Sequence, residues 1–145
     1  MKVSIDKIVE GLEFCIDDNE YYYHTVTNDT FFTSSYGNSY DADNMSEEEI
    51  EMMFDVSIPL PSQREINEYS MMEEFAENIE DEQKQYVLNG ALNGTGAFRR
   101  FKGCIYDLDL ENDWFKFRDK KYKDIAINWC QDNDLDYIDD YEIKE

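Results

Sequence analysis

Apolar side chains recur every three or four positions over much of the chain, and this period predicts helices where a capping residue precedes it. The first stretch is Ile5, Ile8, Val9, Leu12 and Cys15 or Ile16, with Ser4 placed to cap it and Asp17, Asp18 and Asn19 to end it. Its acids, Asp6, Glu10 and Glu13, fall on the other faces. The pattern then changes. Residues 20–26 (EYYYHTV) and 31–36 (FFTSSY) are rich in aromatic and β-branched side chains, and Thr27, Asn28, Asp29 and Thr30 between them form turns, so a β-hairpin is predicted. Residues 37–44 are polar and read as a loop.

Two capping boxes follow, each a serine with a glutamate three positions on. Ser46 with Glu49 starts a short helix to about Met53, after which residues 54–60 (FDVSIPL) alternate as a strand that Pro59 confines to an edge or an end. Ser62 with Glu65 starts a long helix with Ile66, Tyr69, Met72, Phe75, Ala76 and Ile79 on one face. Asp81 caps another, with Tyr86, Val87, Leu88, Ala91 and Leu92 expected inside and Gly94 and Gly96 at its end. Phe98, Phe101, Cys104 or Ile105 and Leu108 mark a further short helix. The last one starts near Asp113 and carries Trp114, Phe117 or Arg118, Tyr122, Ile125, Ala126 and Trp129, with Asn133 as its stop. Residues 135–138 are predicted as a short closing strand. The order predicts an α+β fold in one small domain, 1–145. Residues 1–60 would hold the N-terminal helix, aromatic hairpin and edge strand, and residues 61–145 a mainly helical half.

Composition removes several classes. At 145 residues, with 41% hydrophobic and 15% aromatic side chains, the chain can form a core. Its net charge of −22 repels phosphate, which disfavours direct binding to nucleic acid and to anionic membrane surfaces. No stretch approaches the ~20 apolar residues of a membrane helix. The start, MKVSIDKIVEGLEF, is too broken by acids for a secretory leader, so a cytoplasmic protein with free thiols is expected. The sequons at Asn28 and Asn93 then carry no meaning. Charge is uneven: residues 1–95 hold 4 basic and 22 acidic side chains, whereas in residues 99–123 the bases outnumber the acids, 8 to 5.

Candidate chemistry is sparse. His24 is the single histidine and sits in the hairpin, where a satisfied hydrogen bond is the expected role. Cys15, Cys104 and Cys130 form no CxxC pair and read as core thiols; Cys104 alone lies near basic residues. Asp132, Asp134 and Asp136 match the start of a calcium loop, but Tyr137 and Ile143 replace its glycine and glutamate. The runs starting at Asp107 and Asp41 fail in the same way. No metal site, no cofactor and no catalytic residue are expected.

The most informative segment is LNGTGAFRRFKGCI, residues 92–105, where Arg99, Arg100 and Lys102 alternate with Phe98 and Phe101 after a run of glycines. One reading is an anion or acidic-partner site at a helix start. The favoured reading is internal: the phenylalanines anchor the helix and the cations pair with the chain's own acids. Met72-Glu73-Glu74-Phe75, then Leu88, Ala91, Leu92, Asn93 and Gly94, then the GAFRRFK run, then Trp114-Phe115-Lys116-Phe117 and Ala126-Ile127-Asn128-Trp129 together resemble the uncharacterised protein family 0158 of the UPF series. Cys130 stands where that pattern has a leucine, a departure that touches packing only. The resemblance covers most of the chain. It implies a small cytosolic, mainly bacterial α+β protein, and no activity or catalytic residue.

The leading expectation is therefore a non-enzymatic, acidic interaction protein with an unidentified basic protein partner. Glu47, Glu48, Glu49, Glu51, Glu73, Glu74 and Glu77 are the candidate contact surface. The alternatives are a nucleic-acid mimic that occupies a DNA- or RNA-binding protein, and a small-anion-binding protein or enzyme using Arg99, Arg100 and Lys102.

Overall fold

A computed structural model describes residues 2–14 and 19–143; Cys15, Ile16, Asp17 and Asp18, on which the predicted end of the first helix falls, lie outside the described residues. The fold is α+β, and the chain divides into two compact units, Met1–Ile66 with Tyr122–Glu142 and Asn67–Lys121 with Ile143–Glu145.

In the first unit, β1 (Val3–Ser4) leads into α1 (Ile5–Glu13), and the Ser4 hydroxyl accepts from the Lys7 N–H, as its capping role requires. Ile5, Ile8, Val9 and Leu12 are buried as the period predicts. Gly11 sits where α1 comes closest to its neighbours: a Cβ there would lie 2.9 Å from the Leu60 side chain. The hairpin is β2 (Asn19–His24) and β3 (Asp29–Ser34), antiparallel, with Tyr22 opposite Phe31 and Tyr23 opposite Thr30. Part of the predicted loop at 37–44 is ordered: β4 (Gly37–Asn38) pairs with β3, and a 3₁₀ turn covers Ala42–Asn44.

The helix α2 (Glu47–Asp55) runs past Met53 and takes in Phe54 and Asp55, so the strand expected over 54–60 shrinks to β5 (Ser57–Pro59). β5 is an edge, as Pro59 required, in a four-stranded sheet of order β4-β3-β2-β5. Successive side chains on β2 take opposite faces. Tyr22 meets Phe54 of α2 edge-on at 5.1 Å between ring centres, and Tyr23 meets Trp129 edge-on at 5.8 Å. Phe54 also packs against Phe31 and Tyr40 at 5.4 and 6.1 Å, and this cluster is why the helix continues through it.

The second capping box is reciprocal, with Ser62 N–H on the Glu65 carboxylate and Glu65 N–H on the Ser62 hydroxyl, but the long helix it was expected to open is broken. α3 (Gln63–Ile66) ends at Asn67, whose left-handed φ of 53° interrupts the helix. The Asn67 side chain caps α4 (Glu68–Glu77) by accepting from Ser70 N–H.

In the second unit, Asp81 caps α5 (Glu82–Ala91) as predicted. Leu88, Ala91 and Leu92 are buried, but Tyr86 and Val87 are exposed: they lie outside the i, i+3, i+4 stripe that the other three define. α6 (Ala97–Asp107) buries Phe101 and Ile105 and leaves Phe98 half-exposed beside Tyr69. α7 (Glu111–Asp132) has its buried Trp114 in this unit. Phe101 packs at 5.1 Å from Trp114 and 6.4 Å from Phe75, the centre of an aromatic core.

The later turns of α7, from Tyr122, belong to the first unit and bury Tyr122, Ala126, Trp129 and Cys130 there. The closing strand, β6 (Tyr137–Ile138), pairs in parallel with β1. Asp140 then reaches the start of α1, accepting from the Ser4 hydroxyl at 2.6 Å and the Asp6 N–H at 2.9 Å. Although burial works the other way, these bonds hold its carboxyl below the usual aspartate range. No helix among the described residues is long and apolar enough to cross a membrane.

Candidate functional site

The basic window is built on α6. Gly94 and Gly96 turn the chain between α5 and α6 with φ of 76° and 82°, values that favour glycine. At Gly96 a Cβ would also lie 3.2 Å from an Arg100 nitrogen. At the end of α5 the Leu88 and Gly90 carbonyls accept from the Leu92 and Asn93 N–H groups. Arg100 ties the turn to the helix end: its Nε donates to the Ala91 carbonyl at 3.2 Å, and its two terminal nitrogens donate to the carbonyls of Asn93 and Thr95. Arg100 is therefore committed internally, to main-chain oxygens and not to the chain's carboxylates.

Arg99 and Lys102 lie on the outer side of the same helix, exposed, with no ion pair among the described residues. All three are exposed, so the sequence trio separates into one cation bonded to main-chain carbonyls and two without an ion pair among the described residues. Cys104 is partly exposed. Cys130 is buried in the first unit, and burial pushes its thiol up to about 11, away from the thiolate a nucleophile needs.

The acidic candidates also fall into two groups. Ser46 caps α2 through Glu49 N–H at 3.1 Å, which places Glu47, Glu48 and Glu49 in the first turn, where the helix dipole favours anions. Spacing puts Glu47, Glu48, Glu51 and Asp55 on one face. Glu47, Glu48, Glu49 and Glu51 are exposed, and none has an ion pair among the described residues. Phe54 in its aromatic cluster, and the Ser57 hydroxyl donating to the Met53 carbonyl, hold the helix to the sheet. Glu73, Glu74 and Glu77 belong to α4 in the second unit. There Glu74 pairs with Lys121 at 2.9 Å, and Glu73 and Glu77 are exposed.

The remaining chemistry is structural. His24 Nδ1 accepts from the N–H groups of Val26 and Thr27 at 3.2 and 3.1 Å, so the imidazole supports the hairpin turn. Among the described residues no group of three His, Cys, Asp or Glu side chains is placed to hold a metal ion. One feature that sequence reading misses is an open groove of about 460 Å³ in the first unit, between the segment around Pro59 and Pro61 and the last turns of α7. Its walls come from positions some seventy residues apart, as in the bond from Trp129 Nε1 to the Pro59 carbonyl at 2.9 Å, and no local pattern announces them.

One family model, that of the uncharacterised protein family (UPF0158), matches residues 1–144. No curated protein and no solved structure matches the chain.

Proposed function

The chain belongs to the uncharacterised protein family (UPF0158), and we propose that it acts as a non-enzymatic, strongly acidic interaction protein that presents α2 to a basic protein partner. The observation that carries this reading is the set of exposed carboxylates on α2, Glu47, Glu48, Glu49 and Glu51, left without ion pairs among the described residues. By contrast, within the other unit Lys121 pairs with Glu74 at 2.9 Å and Arg118 with Glu68 at 3.0 Å. Unpaired, exposed carboxylates on a helix held in place by Phe54 raise the association rate and selectivity for a positive surface.

The test is capture of partners from lysate with the immobilised protein, beside a variant carrying Gln at positions 47, 48, 49 and 51. Partners held at about 0.1 M salt and released at about 1 M, where the screening length drops from ~10 to ~3 Å, are expected for the native chain and lost for the variant. Equal capture by both proteins would sink the reading.

A further inference from the structure

The groove beside Trp129 has a chemistry of its own. Its apolar lining includes Ile58 and Pro61 from the segment around β5 and Ile125 and Trp129 from α7. Its polar lining includes Glu65, Asp132 and Asn128, and none of its described lining residues is basic. Asp132 and Asn128 are exposed and have no side-chain partner among the described residues, and Glu65 spends one carboxylate oxygen on the Ser62 N–H. A volume of about 460 Å³ is in the ~300–1,000 Å³ range of small-ligand sites. A second groove of similar size, beside α1, carries both Lys7 and Glu10, so its charge selects no partner.

From this combination we infer that the groove is a docking site for a short basic-apolar peptide segment, in which one aliphatic side chain enters between Pro61 and Ile125 while flanking lysines or arginines meet Glu65 and Asp132. The inference deepens the proposed function by giving the basic partner a second contact with shape selectivity. The Asn128 amide holds both a donor and an acceptor, the pair that an extended peptide backbone offers in return. Strand addition to β5 is closed off: Pro59 has no N–H, and its carbonyl already accepts from Trp129. Recognition therefore runs through side chains and the Asn128 amide, and charge complementarity selects the cationic flanks.

The experiment titrates the full chain at low salt with two acetylated, amidated pentapeptides, Lys-Leu-Lys-Leu-Lys and Lys-Gly-Lys-Gly-Lys, read by amide chemical-shift changes. Three proteins are compared: the native chain, an Asn128→Ala/Asp132→Lys variant, and the α2 variant with Gln at 47, 48, 49 and 51. Melting curves confirm that each is folded. The leucine peptide is expected to shift residues 125–133 and to bind about tenfold more tightly than the glycine peptide. The groove variant should lose about tenfold and the α2 variant should bind as the native chain does. Equal binding of both peptides, with loss only in the α2 variant, overturns the groove and leaves the α2 reading standing. Absence of binding by the leucine peptide also overturns the groove, while the lysate capture decides α2 separately.

Discussion

The helices α2 and α6 carry the two densest charge clusters of interest, and they use their charge in opposite ways. On α2 the carboxylates stay exposed without ion pairs among the described residues, although the same helix sends Phe54 into a cluster with Tyr22, Phe31 and Tyr40. On α6 the anchor is the fully buried Phe101, and the cation just before it in sequence, Arg100, is drawn into the end of α5. Helix ends explain the contrast. The capped start of α2 tolerates free anions, whereas the turn after α5 presents the Ala91, Asn93 and Thr95 carbonyls together, which a guanidinium suits. A charge cluster is a candidate contact surface only when no backbone terminus nearby requires it.

The largest effect that would sharpen this comparison is expected from the anchors. Phe101→Ala removes a ring packed on Phe75 and Trp114 and should cost about 3–5 kcal/mol in urea unfolding. Phe54→Ala, at a half-buried site, should cost about 2–3 kcal/mol, the lower part of the large-to-small range. Equal costs would mean that α2 is held as deeply as α6.

Next comes the split within the basic window. Arg100→Ala removes hydrogen bonds to three carbonyls, two of them exposed, and should lower stability by about 0.5–1.5 kcal/mol, while Arg99→Ala and Lys102→Ala should stay within about 0.5 kcal/mol of the native chain. Similar small losses at all three positions would return Arg100 to the surface set.

The smallest effect concerns the clasp of Asp140 on the start of α1. Because the folded pKa lies below the unfolded one, near 3.9, the contribution is present above that value and disappears as pH falls through the folded pKa. Asp140→Asn should therefore be less stable than the native chain at pH 7, with the difference closing as the solution is acidified below the ordinary aspartate range. A difference that persists in acid would assign the loss to packing and not to charge.

Much of the local structure is readable because its signals are local. The serine caps at 4, 46 and 62 and the aspartate cap at 81 each satisfy N–H groups two or three residues away. The hairpin itself was legible from its aromatic and β-branched runs, but its turn lies two residues earlier than the expected 27–30, since Asp29 and Thr30 pair with His24 and Tyr23. The misreadings share a cause as well. Tyr86 and Val87 are apolar enough for a core but sit on the outer side of α5, and Asn67 breaks a helix whose apolar period runs through it. Of the candidate site, the positions of the acids on helices were legible. The commitment of Arg100 was not, because its partners are carbonyls that every residue has.

By itself the sequence determined the α+β class, the capped helix starts, the hairpin and the acidic character, since each depends on neighbours a few positions apart. Only the tertiary structure decided which charges stay free, that Asp140 closes on the start of α1, and that Pro59 and Trp129 wall a groove. Those outcomes depend on which distant groups the packed chain brings within hydrogen-bonding reach, and a linear pattern does not carry that information.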